Sequence, residues 1–323
     1  MQITQKTITP DFLPMLWIFL ALLGAITNAG YFIIIKRYIA TLDPKVLTGV
    51  GFTCGGLLLL AFSAIRGIPV IGQDLYSAVA VTAVLNIVSL ALIFKALSST
   101  DLSLSIPMLS FTPVILIGTS YLLLDEIPSV AGVAGICIIV IGSYVLNISS
   151  SDEHFLDPVR SMLRNRGSWY ILIVAFLFAV SINFDKIAML NSDPFFGMAL
   201  TVIVIGVAFV LMAAYTLILS GPYLRKMPAG KGFRAPDAVF PAFPLRKYLP
   251  LTILIGTFVA IEAASINVAY TLQIVPYVIA IKRLSIIFVV LYGTLVFSEH
   301  ETGKRLMGAA LMVAGAVIIV LFA

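Results

Sequence analysis

Charge is what this 323-residue chain has least of: 11% of its residues are Asp, Glu, Lys or Arg, against 61% hydrophobic. A water-soluble domain of this length needs a charged surface, so the composition places most of the chain in lipid. Histidine and cysteine are scarce too, with two of each. His154 and His300 fall in polar connections, while Cys54 and Cys137 sit inside apolar runs and read as small buried hydrophobes. Neither a disulfide framework nor a His/Cys metal cluster is indicated. HExxH, GxSxG and a phosphate-binding P-loop are also missing, so no enzyme of those classes, no ATP-driven pump and no cofactor is expected. The net charge of +5 bears on loop orientation and is no argument for nucleic acid. The segment before the first apolar run has one lysine and no A-x-A site, so the first span is expected to be retained.

What the chain does have is a succession of apolar stretches of spanning length. They predict helices at about 13–35, 47–65, 75–97, 103–124, 129–148, 169–189, 195–219, 249–273, 276–297 and 305–322. Pro44, Pro69, Pro128, Pro194, Pro222 and Pro276 all punctuate the connections. Two connections are longer and more polar. Ser149–Ser168 has room for a short interfacial helix at Leu156–Asn165, and Gly221–Lys247 is too rich in Pro and Gly for regular structure. The first of these divides the ten helices into two sets of five, 13–148 and 169–322, joined by a linker at 149–168.

An internal repeat supports that division. Lys36 precedes Asp43-Pro44 by the same seven positions that separate Lys186 from Asp193-Pro194, a constant offset of 150. Later, LLLDEIPSVAGVAGICIIVIG aligns with LVFSEHETGKRLMGAALMVAG at an offset of 173, placing Glu126 on Glu299, Gly135 on Gly308 and Gly142 on Gly315. With five helices per repeat, the second half must enter the membrane upside down. The expected fold is therefore an all-α membrane protein of ten spans in two inverted five-helix repeats, an arrangement recurrent in secondary transporters.

Inside those apolar stretches a few residues break the pattern. Lys282 and Arg283 stand side by side in the ninth helix, about six residues or ~9 Å inside its start. Ionisable groups in a span are costly and usually face a polar cavity or a partner, so the pair reads as an anion site; snorkelling to headgroups is the plainer alternative. Glu262 is the deepest acid, near the middle of the eighth helix, on one face with Ser265, Ala269 and Gln273. It reads as a proton carrier, as the fixed counter-ion of the basic pair, or as a protonated group hydrogen-bonded between helices. Thr27, Asn28 and Tyr31 share a side of the first helix, and Ser181 and Asp185 a side of the sixth. Asn86 and Asn267 lie within the third and eighth. Any of these serves as a cavity lining or as interhelical hydrogen-bonding glue. Tyr270 reads as a substrate contact or an interfacial anchor. Lys36, Lys186 and Asp185, near helix ends, read as solvated caps or loop salt bridges, and Gly51 and Gly55 as a close-packing GxxxG. The candidate substrate-binding set is Lys282, Arg283, Glu262, Asn28, Tyr31, Asn86, Ser181 and Tyr270.

The helix ending Leu124-Asp125-Glu126 or Phe297-Ser298-Glu299, with Gly135 or Gly308 nine residues on, resembles the drug/metabolite transporter superfamily, specifically a protein with two EamA-like domains. The run ALIFKALSSTDLSLSIPMLSFTPV is similar to that family's third and fourth helices. The resemblance implies ten helices, secondary transport of a small organic solute and residence in a membrane, here expected to be a bacterial cytoplasmic one. Lys282-Arg283 is similar to the pair that holds phosphate in plastid triose-phosphate/phosphate translocators. Where those carry a further lysine in the fourth helix, this chain has Leu109, so the implied clamp is incomplete and a carboxylate or a more weakly held anion is expected. Implied partners are a small-molecule substrate and membrane lipid, with proton or exchange coupling. The competing readings are an exporter of neutral or cationic drugs or amino acids acting through Glu262, and a non-transporting scaffold or receptor.

Orientation is read two ways. Loops after odd-numbered helices carry fifteen Lys and Arg residues, against three (Lys6, Arg66, Lys186) on the other face. The positive-inside rule then puts both termini outside, whereas the resemblance implies termini inside.

Overall fold

Outward-facing side chains are the apolar ones: Phe19, Ile26, Leu58, Phe176, Leu211 and Val313 are exposed, whereas Thr82, Ser89, Ser120, Asn183 and Asn267 are buried. A soluble protein does the opposite. Lipid as the solvent selects this pattern, because polar groups must find partners inside the bundle. A computed structural model describes residues 13–38, 42–97, 109–146, 166–224, 245–297 and 302–322. Within these the regular elements are helices: α1 Leu13–Tyr38, α2 Pro44–Arg66, α3 Leu75–Leu97, α4 Thr112–Leu124, α5 Val130–Leu146, α6 Arg166–Leu190, α7 Phe196–Leu224, α8 Leu245–Leu272, α9 Val275–Lys282, α10 Ser285–Phe297 and α11 Thr302–Phe322. Seven of them are long and apolar enough to cross a membrane, and α4 and α5 are shorter apolar helices. The chain is a multi-pass membrane protein.

Local sequence sets several of these ends. Asp43 caps α2, its carboxylate accepting from the Lys45 N–H at 2.8 Å with Pro44 at the first helical position. Asp193 does the same before α7, accepting from the Phe195 and Phe196 N–H groups at 2.7 and 2.6 Å. The repeated Asp-Pro word thus makes the same turn twice. The polar connections are trimmed by longer helices: α7 runs on to Leu224, and α8 starts at Leu245 with Pro250 inside it. The interfacial helix expected at 156–165 lies outside the described residues, as do Glu299 and both histidines.

One expectation fails. The ninth span is not a continuous helix from 276 to 297. It is α9, a turn at Arg283 and Leu284, then α10, with the Leu284, Ile286 and Ile287 N–H groups each bonded three residues back. That tightened turn redirects the chain at the basic pair. Residues 109–112 show the same device 173 positions earlier. Leu109 is helical, Ser110 and Phe111 form a turn, and α4 begins at Thr112, whose hydroxyl donates to the Leu109 carbonyl at 2.7 Å.

Helices pair closely along α5 and α11, α2 and α7, α3 and α6, and α1 and α8. Glycine permits the first of these. A Cβ on Gly142 would lie 2.7 Å from the Met312 nitrogen and 2.8 Å from the Gly308 carbonyl; one on Gly135 would lie 2.8 Å from the Gly315 carbonyl. Each glycine therefore meets the counterpart of the other across the crossing. The GxxxG of α2 works as expected, with Gly55 against the Gly256 carbonyl of α8 and Gly51 against Ile255. The half-helix α9 sits at the centre, buried from Val275 to Ile281 and packed on α1, α4, α5, α6, α8 and α11.

Candidate functional site

Lys282, the last residue of α9, has its Nζ 2.6 Å from Glu262 Oε1 of α8. The same oxygen accepts from Asn28 Nδ2 of α1 at 2.9 Å. Side-chain exposures of 26% for Lys282 and 17% for Glu262 leave the pair reachable from one side. Arg283, in the turn, has its Nε buried without a hydrogen-bond partner among the described residues. Glu262 is close enough to act on it electrostatically. Three of the expected residues thus converge on one ion pair, with an unsatisfied guanidinium nitrogen beside it.

Asn86 and Ser181 are also brought together, but in a second place. Asn86 Nδ2 of α3 donates to Ser181 Oγ of α6 at 2.6 Å, Ser181 Oγ lies 2.7 Å from Thr82 Oγ1, and Thr82 Oγ1 is 2.5 Å from Asp185 Oδ1. Asp185 is therefore no solvated cap: the Thr82 hydroxyl ties its carboxyl into the interface. Thr82 was missed in the sequence, although Thr82–Asn86 and Ser181–Asp185 are both polar pairs four apart on a helix.

Tyr31 and Tyr270 both lie in packed surroundings. Tyr31 packs in an apolar cluster with Leu47, Val202, Ile255 and Val259, edge-on to Phe52, and lies beside Thr48. Tyr270 is no interfacial anchor. It is 3% exposed in the central core, within electrostatic reach of Asp185, Glu262 and Glu126. Thr27 turns back on its own helix, donating to the Leu23 and Gly24 carbonyls at 2.9 and 3.2 Å. Leu109, the counterpart of Lys282 by offset, packs with Ile171, Ile93 and Tyr170 and offers no charge. Among the described residues no group of three His, Cys, Asp or Glu residues is arranged to hold a metal ion.

A third polar junction was not anticipated in its depth. Lys186 Nζ of α6 lies 2.5 Å from Glu126 Oε1, and Glu126 Oε2 accepts from the Val275 N–H at 2.8 Å. Both side chains are buried, at 12% and 9% exposure. The loop salt bridge expected of Lys186 exists, but it is internal. It pins the start of α9, whose other end carries Lys282.

Residues 15–148 match the model of the EamA-like transporter family. None of the curated proteins compared matches the chain. A solved structure described as "Crystal structure of protein" superposes with a TM-score of 0.70 over 98% of this chain and 100% of its own, at 15% identity. That likeness is one of fold.

Glu126 lies within the EamA-like segment and Lys186 beyond it, so their ion pair joins the matched segment to the rest of the chain. Removing one member of a buried pair strands the other and costs about 3–5 kcal/mol. Lys186→Met is accordingly expected to lower the melting temperature of the detergent-solubilised protein. Reversing the pair, Glu126→Lys with Lys186→Glu, should recover part of the loss. An unchanged melting temperature in Lys186→Met would show that the junction carries no stability.

Proposed function

We propose that the chain is a secondary transporter that moves a small anionic metabolite by alternating access, binding it at Lys282 and Arg283. In this reading 13–148 and 169–322 are two EamA-like repeats of five spans, inverted relative to one another and joined by the linker at 149–168. The repeated break at 109–112 and 282–285 supports the duplication, as do the crossed glycine contacts of α5 with α11. So does the pairing of α3 with α6 and α1 with α8, which exchanges the third and first helices of the two sets. The expected home is a bacterial cytoplasmic membrane.

The observation that carries the substrate assignment is the buried, unpartnered Nε of Arg283 next to an ion-paired lysine. A guanidinium whose buried Nε lacks an acceptor among the described residues is suited to an anion that brings its own oxygens. A carboxylate arriving there competes with Glu262 for Lys282, so Glu262 acts as the counter-ion of the lysine in the empty site and leaves the Arg283 charge for the substrate. Asn28 steadies that carboxylate in both conditions. A cationic drug would instead have to displace Lys282 from Glu262, and the existing ion pair opposes it.

With no nucleotide motif, uphill movement draws on an ion gradient or on exchange. Untargeted metabolite comparison of cells with and without the protein, followed by vesicle uptake of the compounds that differ, tests the reading. Anionic compounds should dominate the difference and should compete with one another for uptake. Saturable uptake confined to cations would sink the anion assignment, and no saturable flux of any compound would sink transport.

A further inference from the structure

Glu262 and Asp185 are both carboxyls inside the bundle, yet their surroundings differ in a way that separates their chemistry. Lys282 Nζ and Asn28 Nδ2, which reach Glu262, are obligate donors converging on one oxygen. An ammonium and an amide donor on one oxygen favour the carboxylate over the protonated acid. Asp185 Oδ1 instead meets a hydroxyl, Thr82 Oγ1, which donates or accepts equally well.

The hydroxyl chain behind Thr82 can run in either direction. With Asp185 ionised, Asn86 Nδ2 donates to Ser181 Oγ, Ser181 Oγ–H to Thr82 Oγ1, and Thr82 Oγ1–H to Asp185 Oδ1. With Asp185 protonated, its O–H donates to Thr82 Oγ1. The Thr82 hydroxyl then turns to the Ser181 carbonyl at 3.3 Å or to Ser181 Oγ, and Ser181 Oγ–H turns to the Thr82 carbonyl at 3.4 Å. Two hydroxyl rotations satisfy both states without moving a heavy atom. The charged and titratable groups acting on Asp185 are Lys282 of α9 and Tyr270 of α8, with Lys186 its sequence neighbour but paired with Glu126.

We infer that Asp185 is the carboxyl that takes up and releases a proton within the bundle, and that Glu262 is a fixed counter-ion. The proton comes from water on one side, forms an O–H bond on Asp185, and is returned to water when that bond breaks. No other atom is transferred. Use of that proton to drive anion movement rests on the transporter reading above, whereas the proton site itself does not. A sodium ion is a poorer fit, since Asn86 directs an amide donor into the chain and sodium needs several oxygens at once.

The test is acid–base difference infrared spectroscopy of the full chain in lipid nanodiscs, with no substrate present. The carbonyl-stretch band of a protonated carboxylic acid should disappear in Asp185→Asn and persist in Glu262→Gln. Thr82→Val should shift the band without removing it, because the carboxyl loses its hydroxyl partner but remains. Size-exclusion profiles identify any variant that has not folded, and Thr82→Val keeps the assignment testable if Asp185→Asn fails. A band unchanged in Asp185→Asn, or lost in Glu262→Gln, would overturn the inference. So would a sodium-dependent rise in wild-type melting temperature that Asp185→Asn abolishes. Because the readout needs no flux, its failure is distinct from a failure to transport.

Discussion

Lys282→Ala and Arg283→Ala are each expected to reduce vesicle uptake of the anionic substrate by about 10- to 100-fold while leaving membrane insertion intact. A hydrogen bond to a charged group is worth about 1.5–3 kcal/mol, and each 1.4 kcal/mol is tenfold in affinity. The two substitutions act by different routes. Losing Lys282 removes a donor and also leaves Glu262 without its cation, with Asn28 still donating to it. Losing Arg283 removes the one buried nitrogen of that pair with no acceptor, so it should weaken binding with less effect on stability. Glu262→Gln separates the readings further: with a neutral amide in place, the lysine is freed for substrate but the empty site gains a positive charge. Anion affinity should rise and release should slow. Normal transport by both the Lys282 and the Arg283 variant would remove the basis for an anion site.

The second large effect is structural. Gly142→Leu is expected to destabilise the fold by about 3 kcal/mol or more, since overpacking a tight contact typically costs 1–3 kcal/mol and here the obstacle is backbone. A Cβ at Gly142 meets the Met312 nitrogen and the Gly308 carbonyl, neither of which can rotate away as a side chain would. The helices α5 and α11 would have to separate along their whole crossing. Gly118→Ala in α4 is the control, because a Cβ there has nothing within 4 Å. Melting temperatures of purified protein should fall for the first and stay level for the second. Equal melting of both would mean that the α5–α11 contact is not held closed by its glycines.

The residues legible from sequence were those whose meaning is local. The membrane class followed from composition, because lipid imposes its demand on every residue of a span. The Asp43-Pro44 and Asp193-Pro194 caps were legible because a cap is made by a side chain and the N–H groups two or three residues on. Glu262 and Lys282 stood out because an ionisable group in an apolar run is conspicuous whatever it touches. The break at Arg283 was not legible: the residues around it are helix-compatible, and the turn is decided by what α9 packs against. The depth of Asp185 and Lys186 was not legible for a related reason. Near a helix end, depth depends on which neighbours cover that end, and here Thr82 of α3 and Glu126 of the loop after α4 do so.

Sequence by itself determined that this chain lives in a bilayer as apolar helices, carries a repeated pattern, and keeps a few charges where lipid would not tolerate them alone. Only the tertiary structure decided who neutralises whom: Glu262 with Lys282, Glu126 with Lys186, and Asp185 with a hydroxyl instead of a cation. Periodicity is written into neighbouring residues, so it survives without the fold. The partners just named lie 20 (282 − 262), 60 and 103 positions apart along the chain, and each pair exists only once the helices have packed.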